Sequence, residues 1–181
     1  MNRTILPILV FVLGLTSCGL LDDIEKASKF EIPLETTVTL PSINVLTDTL
    51  ELDSIHVETA AATIFDIAGT DTTKIERLKL KSLKVSITKP SKGNFDFLKF
   101  AKIYIKSDKH PEIQLAYITD VPDNASSPLS FDVYESDFKK YLFQSDKFTL
   151  RVSYLADKVT TEPYEIKIMP VFFIDLKVLG Q

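Results

Sequence analysis

The sequence predicts an all-β protein, a two-sheet antiparallel β-sandwich with one short helix near 137–143. Three observations carry that expectation. Apolar residues recur at every second position through most of the chain, the period of a half-buried strand. Clusters of Pro, Gly, Asn, Asp and Ser interrupt these runs every 10–15 residues or so, roughly the cadence of a strand-rich sandwich. A single cysteine among 181 residues leaves no internal disulfide, so the core must come from the 45% of residues that are apolar, among them 12 Phe and 6 Tyr.

The elements follow in order. Ile32, Leu34, Val38 and Leu40 alternate with polar neighbours and run into Pro41. Leu50 and Leu52 lie on one phase and Ile55 and Val57 on the other, so this strand contains a phase change. The same happens over 75–88, where Leu78 and Leu80 share one phase and Leu83, Val85 and Ile87 the other. A one-residue slip turns every later side chain to the opposite face unless a bulge absorbs it, which places a bulge near Ser82. Further alternating runs cover 100–106, 113–119, 129–134, 148–155 and 164–169, and Phe172, Ile174, Leu176 and Val178 close the chain. Pro170 stands between two of these runs. Having no N–H for a ladder, it predicts an edge strand or a bulge. The intervening turns at 89–94, 107–111, 121–124 and 156–158 use residues that fix φ, tolerate positive φ or bond to their own backbone. Ser136 is placed to N-cap a helix over 137–143 with Phe138, Tyr141 and Leu142 facing inward. The chain has no tryptophan and no cysteine pair, so the expected sandwich is immunoglobulin-like without the disulfide, with a barrel as the second choice.

The N-terminus reads differently. Arg3 supplies one positive charge, and 5–15 is apolar apart from Gly14. Eleven helical residues span about 16 Å, roughly half of a bilayer's hydrocarbon core, which suits the apolar region of a secretory signal peptide and not a membrane span. The segment ends in Leu15-Thr16-Ser17-Cys18. This resembles the lipobox of bacterial lipoproteins: an aliphatic residue, two small residues and a cysteine. The resemblance implies that signal peptidase II cuts before Cys18, that its thiol is diacylated, and that its freed amino group is acylated as well. Two or more chains make a stable membrane anchor where one gives only reversible binding. The organisation expected is a signal peptide over 1–17, a lipidated tether over 18–30 and a single β-sandwich domain over 31–181. Gly19 stands where an Asp would hold some lipoproteins in the inner membrane, so the outer membrane is favoured. Asp22, Asp23 and Glu25 resemble acidic export signals for the cell surface, and equally suit the first turn of a helix.

Chemistry-bearing constellations are few. His56 and His110 are the two histidines, one on the polar phase of a strand and one in a turn. No G-x-S-x-G element and no glycine-rich phosphate loop occur, and with Cys18 acylated no thiol nucleophile remains. No catalytic set, no cofactor and no metal site are therefore expected. Asp120, Asp123 and Asn124 share one loop and form a weak calcium candidate, although such residues are also ordinary turn composition. Charge is uneven: residues 19–73 hold 11 acids and 2 bases, 74–109 hold 11 bases and 3 acids, and 110–181 hold 11 acids and 7 bases. Within the basic segment, Lys99, Lys102 and Lys106 with Phe97 and Tyr104 are a candidate basic and aromatic patch for an anionic glycan or lipid headgroup. Lysines of this kind also serve as a sheet's solvated face. Ile64, Phe65 and Ile67, in the weakly charged stretch 60–69, are a candidate ligand or partner segment.

From Ile75 onward the chain also resembles small envelope lipoproteins of unknown function, most clearly over Gly93-Asn94-Phe95-Asp96-Phe97-Leu98-Lys99-Phe100-Ala101-Lys102-Ile103-Tyr104-Ile105. It is more loosely similar to LEA type 2 sandwich domains, without their Asn-Pro-Asn element. The function expected is that of a lipid-anchored, non-enzymatic envelope protein that binds or scaffolds. The alternative is a carrier of lipid or another apolar ligand between the sheets. Expected partners are the membrane through acylated Cys18 and an envelope protein, glycan or lipid; export argues against nucleic acid.

Overall fold

A computed structural model describes residues 28–46, 49–58, 72–143 and 147–177. The signal segment 1–17, Cys18 and the patch Ile64, Phe65 and Ile67 lie outside the described residues, as does the His56 side chain.

Among the described residues nine strands form the body: β1 (Lys29–Pro33), β2 (Thr36–Leu40), β3 (Leu50–Glu58), β4 (Ile75–Lys89), β5 (Leu98–Ser107), β6 (Ile113–Ile118), β7 (Leu129–Val133), β8 (Lys147–Ala156) and β9 (Tyr164–Leu176). They run in the order β1-β9-β4-β7-β6-β5-β8-β3, and β2 continues beside β9 where β1 stops. All pairings are antiparallel. The result is a two-layer all-β sandwich. One layer holds β1, β2, β9 and β4, the other β6, β5, β8 and β3. Strand β7 is the corner between them: Leu129–Phe131 pair with β4, and Asp132 and Val133 pair with β6. On the opposite side β2 and β3 face each other without a ladder among the described residues, so the barrel of the second choice does not close.

Strands β4, β7, β5 and β8 pair as the B, E, C and F strands of an immunoglobulin-like sandwich do. The flanking places are filled differently. The last strand, β9, lies beside β4, and the early strand β3 lies beside β8.

The phase changes are real bulges. In β4 the register slips between Leu80 and Ser82, making Lys81 the extra residue, so Leu78, Leu80, Leu83 and Val85 all point into the core. In β3 it slips between Leu52 and Ile55. Pro170 corrects an expectation, since β9 is a central strand with β4 on one side and β1 and β2 on the other. Its alternation passes through the proline unbroken, with Ile166, Ile168, Pro170, Phe172 and Ile174 all buried. In an antiparallel ladder a residue's N–H and C=O point to the same neighbour. The Pro170 carbonyl accepts from Leu34 N at 2.9 Å, so its missing donor faces the break between β1 and β2, where no ladder bond is lost.

The helix α1 spans Lys139–Phe143 and starts two residues later than expected, with Asp137 and not Ser136 as its cap. Asp137 Oδ1 accepts from Lys139 N at 3.0 Å and from Leu78 N at 3.3 Å, tying the helix to β4. Phe138, Tyr141 and Leu142 are fully buried, as the spacing predicts, and Phe138 meets Phe172 edge-on at 6.5 Å.

Strand direction gives the sandwich two ends. Ser28, the start of β4 and the end of β9 lie at one end, since Lys29 stands opposite Asp175. The turns 41–46, 90–97, 119–128 and 157–163 gather at the other. There Ile43 and Thr160 bond reciprocally: Ile43 N donates to Thr160 Oγ1 at 2.8 Å, and Thr160 N donates to Ile43 O at 3.0 Å.

Candidate functional site

Strand β5 sits inside the second layer, between β6 and β8, and its residues alternate strictly after Lys99. Ala101, Ile103, Ile105 and Ser107 are buried, while Phe100, Lys102, Tyr104 and Lys106 form the outer face. Register then sets their neighbours. Lys102 lies between Tyr117 on β6 and Ser153 on β8, and Tyr104 lies between Gln114 and Arg151. Lys106 stands opposite Thr149.

Arg151 organises this surface. Its guanidinium lies 4.1 Å from the Tyr104 ring centroid, a close cation–π stack. Its Nε and Nη2 grip both oxygens of Glu112 at 2.9 and 2.6 Å, and its Nη1 reaches Glu51 at 2.5 Å. Such forked contacts are the strong form of ion pairing. The hydrogen bond from Arg151 holds the Glu112 carboxyl below its ordinary value, with Lys106 adding to the pull, and the Glu112 bond in turn raises Arg151. One row away, Lys102 Nζ lies 5.9 Å from the Phe100 centroid. Phe100, Tyr104 and Tyr117 are each half-buried, so three rings, Tyr104 with Arg151 stacked on it, share one sheet face with the amines of Lys102 and Lys106. Such a face offers ring planes for stacking and cations for anionic groups.

The structure sorts the expected patch. Lys102, Tyr104 and Lys106 come together. Lys99 is exposed but sits at the β5 bulge, between Leu98 and Phe100, and is not part of the alternating outer row. Phe97 does not belong to the patch: it is 3% exposed and packs on Tyr164 at 4.9 Å, because the chain enters β5 from inside the sandwich. Sequence reasoning missed Arg151, Glu112 and Tyr117 as members. The available signal was parity: Arg151 alternates against Leu150 and Val152, whereas its pairing with Tyr104 depends on a long-range register.

Two further bases of the segment are compensated across strands. Lys81 pairs with Glu31 at 2.5 Å and Lys89 with Glu165 at 2.9 Å, so acids from the chain's two ends meet bases from its middle. Asp120, Asp123 and Asn124 are exposed in the turn between β6 and β7, where Asp120 takes a left-handed φ of 52°. Among the described residues no three His, Cys, Asp or Glu side chains gather as a metal site would need. His110 packs edge-on against Tyr141 at 5.5 Å, and the Tyr141 hydroxyl donates to Pro111 O at 2.7 Å.

No protein-family model matches this sequence, and a comparison with curated proteins finds no match. Among solved structures, a chain of Desmodium yellow mottle tymovirus aligns over 99% of this chain and 98% of its own at 13% identity, with a TM-score of 0.29. A chain of turnip yellow mosaic virus aligns over 100% and 91% at 13% identity, with a TM-score of 0.28. Scores of that size fall short of a shared fold.

Proposed function

We propose that this protein is a lipid-anchored, non-enzymatic binding module of the cell envelope whose outer β6–β5–β8 face meets an anionic glycan. The observation that carries the reading is the row of Phe100, Tyr104 and Tyr117 interleaved with Lys102 and Lys106 on one sheet face. Sugar rings present C–H faces to aromatic planes, and the lysines supply charge for carboxylate or phosphate substituents. The lipobox at Leu15-Thr16-Ser17-Cys18 supports the anchor. Nine residues, ten Cα-to-Cα steps, separate Cys18 from Ser28, a reach of up to about 35 Å when extended.

Two measurements test the reading. Retention on immobilised polygalacturonate, against neutral dextran, reads the surface: Lys102→Ala with Tyr104→Ala is expected to weaken binding about 10-fold, or about 1.4 kcal/mol. Equal retention of that variant and the parent would overturn the glycan face. Cys18→Ala is expected to leave the membrane fraction and to lose radioactive palmitate labelling; unchanged labelling would overturn the anchor.

A further inference from the structure

The half of the core nearest the 41–46 and 157–163 turns contains a cavity of about 50 Å³ between the two layers. Val38 and Leu40 of β2 form part of one wall; Leu52 of β3, Ala101 of β5, and Val152 and Tyr154 of β8 form part of the other. The cavity exposes no polar atom. A buried water needs two to four polar partners, so this space stays dry. Its volume is well below the roughly 150 Å³ that accommodates benzene, which rules out rings and leaves room for something narrower.

The strand ladder around this space is interrupted at one seam among the described residues. Neighbours from β9 through β4, β7, β6, β5 and β8 to β3 are joined by backbone hydrogen bonds. Among the described residues strands β2 and β3 are not: β2 pairs with β9, and β3 with β8. Parting them breaks no ladder bond among those residues. The side chains at this seam are apolar and only half-buried, namely Val38 on one side and Leu50 and Leu52 on the other. A narrow, dry, wholly apolar space behind an unladdered seam selects an unbranched alkyl group, since a polar molecule finds no partner and a ring does not fit.

We propose that the cavity takes the end of one unbranched acyl chain, which enters between β2 and β3. The site is separate from the outer β5 face and does not depend on the glycan reading. The full chain carrying Cys18→Ala keeps covalent lipid out of the experiment. Laurate with a labelled terminal methyl probes a free fatty acid, and lauroyl lysophosphatidylglycerol probes the same chain on a lipid headgroup. Nuclear Overhauser contacts are expected from the terminal methyl to the methyls of Ala101, Leu52 and Val152 with at least one probe, and which probe gives them identifies the source. Ala101→Val fills the space and is expected to weaken binding 10-fold or more while the unfolding midpoint holds or rises. Val152→Ala enlarges it and is expected to strengthen binding, which keeps the test open should the first variant misfold. Absence of contacts with both probes overturns the proposal, as does unchanged affinity in both variants. Neither result bears on retention by polygalacturonate.

Discussion

Replacing Thr160 with Val separates one hydrogen bond from everything else at the end of the sandwich remote from Ser28. Thr160 is 6% exposed and Ile43 2%, and Thr160 Oγ1 is the acceptor for Ile43 N at 2.8 Å. Valine matches threonine in shape and keeps its own N–H bond to Ile43 O, so the change removes one acceptor and leaves one buried donor unpaired. Such an orphan costs about 1–3 kcal/mol. The added methyl returns about 0.8 kcal/mol of apolar burial, which leaves a net loss of about 1 kcal/mol. For a domain of this size that is a fall in Tm of about 2–4 °C. Urea unfolding measures the energy, and hydrogen exchange at the Ile43 amide reports whether the bond is its source. Thr160→Ser retains the acceptor and is expected to keep that amide protected. If Thr160→Val matches the parent in unfolding midpoint and in Ile43 protection, the reciprocal pair does not clamp these two turns and the reasoning fails.

Three other outcomes follow from the same structure. Phe138→Ala, which empties a fully buried site against Phe172 and Tyr141, is expected to cost about 3–5 kcal/mol by denaturant titration. Deleting Lys81 removes the bulge between Leu80 and Ser82, one of three register slips in β4, and turns either Leu78 and Leu80 or Leu83 and Val85 to solvent, so near-UV circular dichroism is expected to show no fixed core; Lys81→Ala loses only an exposed ion pair, worth about 0–1 kcal/mol, and should fold. The Glu112 carboxyl lies below its ordinary 4.5 in the folded protein, so its contribution is complete above that value and is lost as pH falls through the lowered one. Glu112→Gln is therefore expected to be less stable than the parent at pH 7 and equal to it once the parent's carboxyl is protonated, with unfolding midpoints measured down to pH 2.5 as the check.

The strands and their faces were largely legible, because period two survives wherever one face of a sheet is buried. The slip in phase between Leu80 and Leu83 locates the bulge from the sequence alone. Strand neighbours were not legible. Nothing local to Tyr164–Leu176 says that it lies beside β4, and Pro170 reads as an edge or a bulge because its safety depends on a gap between Pro33 and Thr36 some 130 positions away. The helix cap moved by one residue for a related reason: Asp137 caps α1 and the Leu78 amide together, and only the fold brings Leu78 there. In the candidate site, Lys102, Tyr104 and Lys106 were visible as a period-two set. Phe97 stands out of phase with that even-numbered row and packs inside on Tyr164, and Arg151 escaped notice because its role is assigned by register.

The placement of β1 also has a mechanical consequence. Five residues of β1 lie along β9 in register, from Lys29 opposite Asp175 to Pro33 opposite Val171. Traction on the segment before Ser28 acts along the strand axis, at right angles to those ladder bonds. The bonds are thus loaded in shear and share the force together, where a pull across the sheet would open them one at a time. Under the anchor proposed above, tension arriving at Ser28 would pass into the sandwich without peeling its edge.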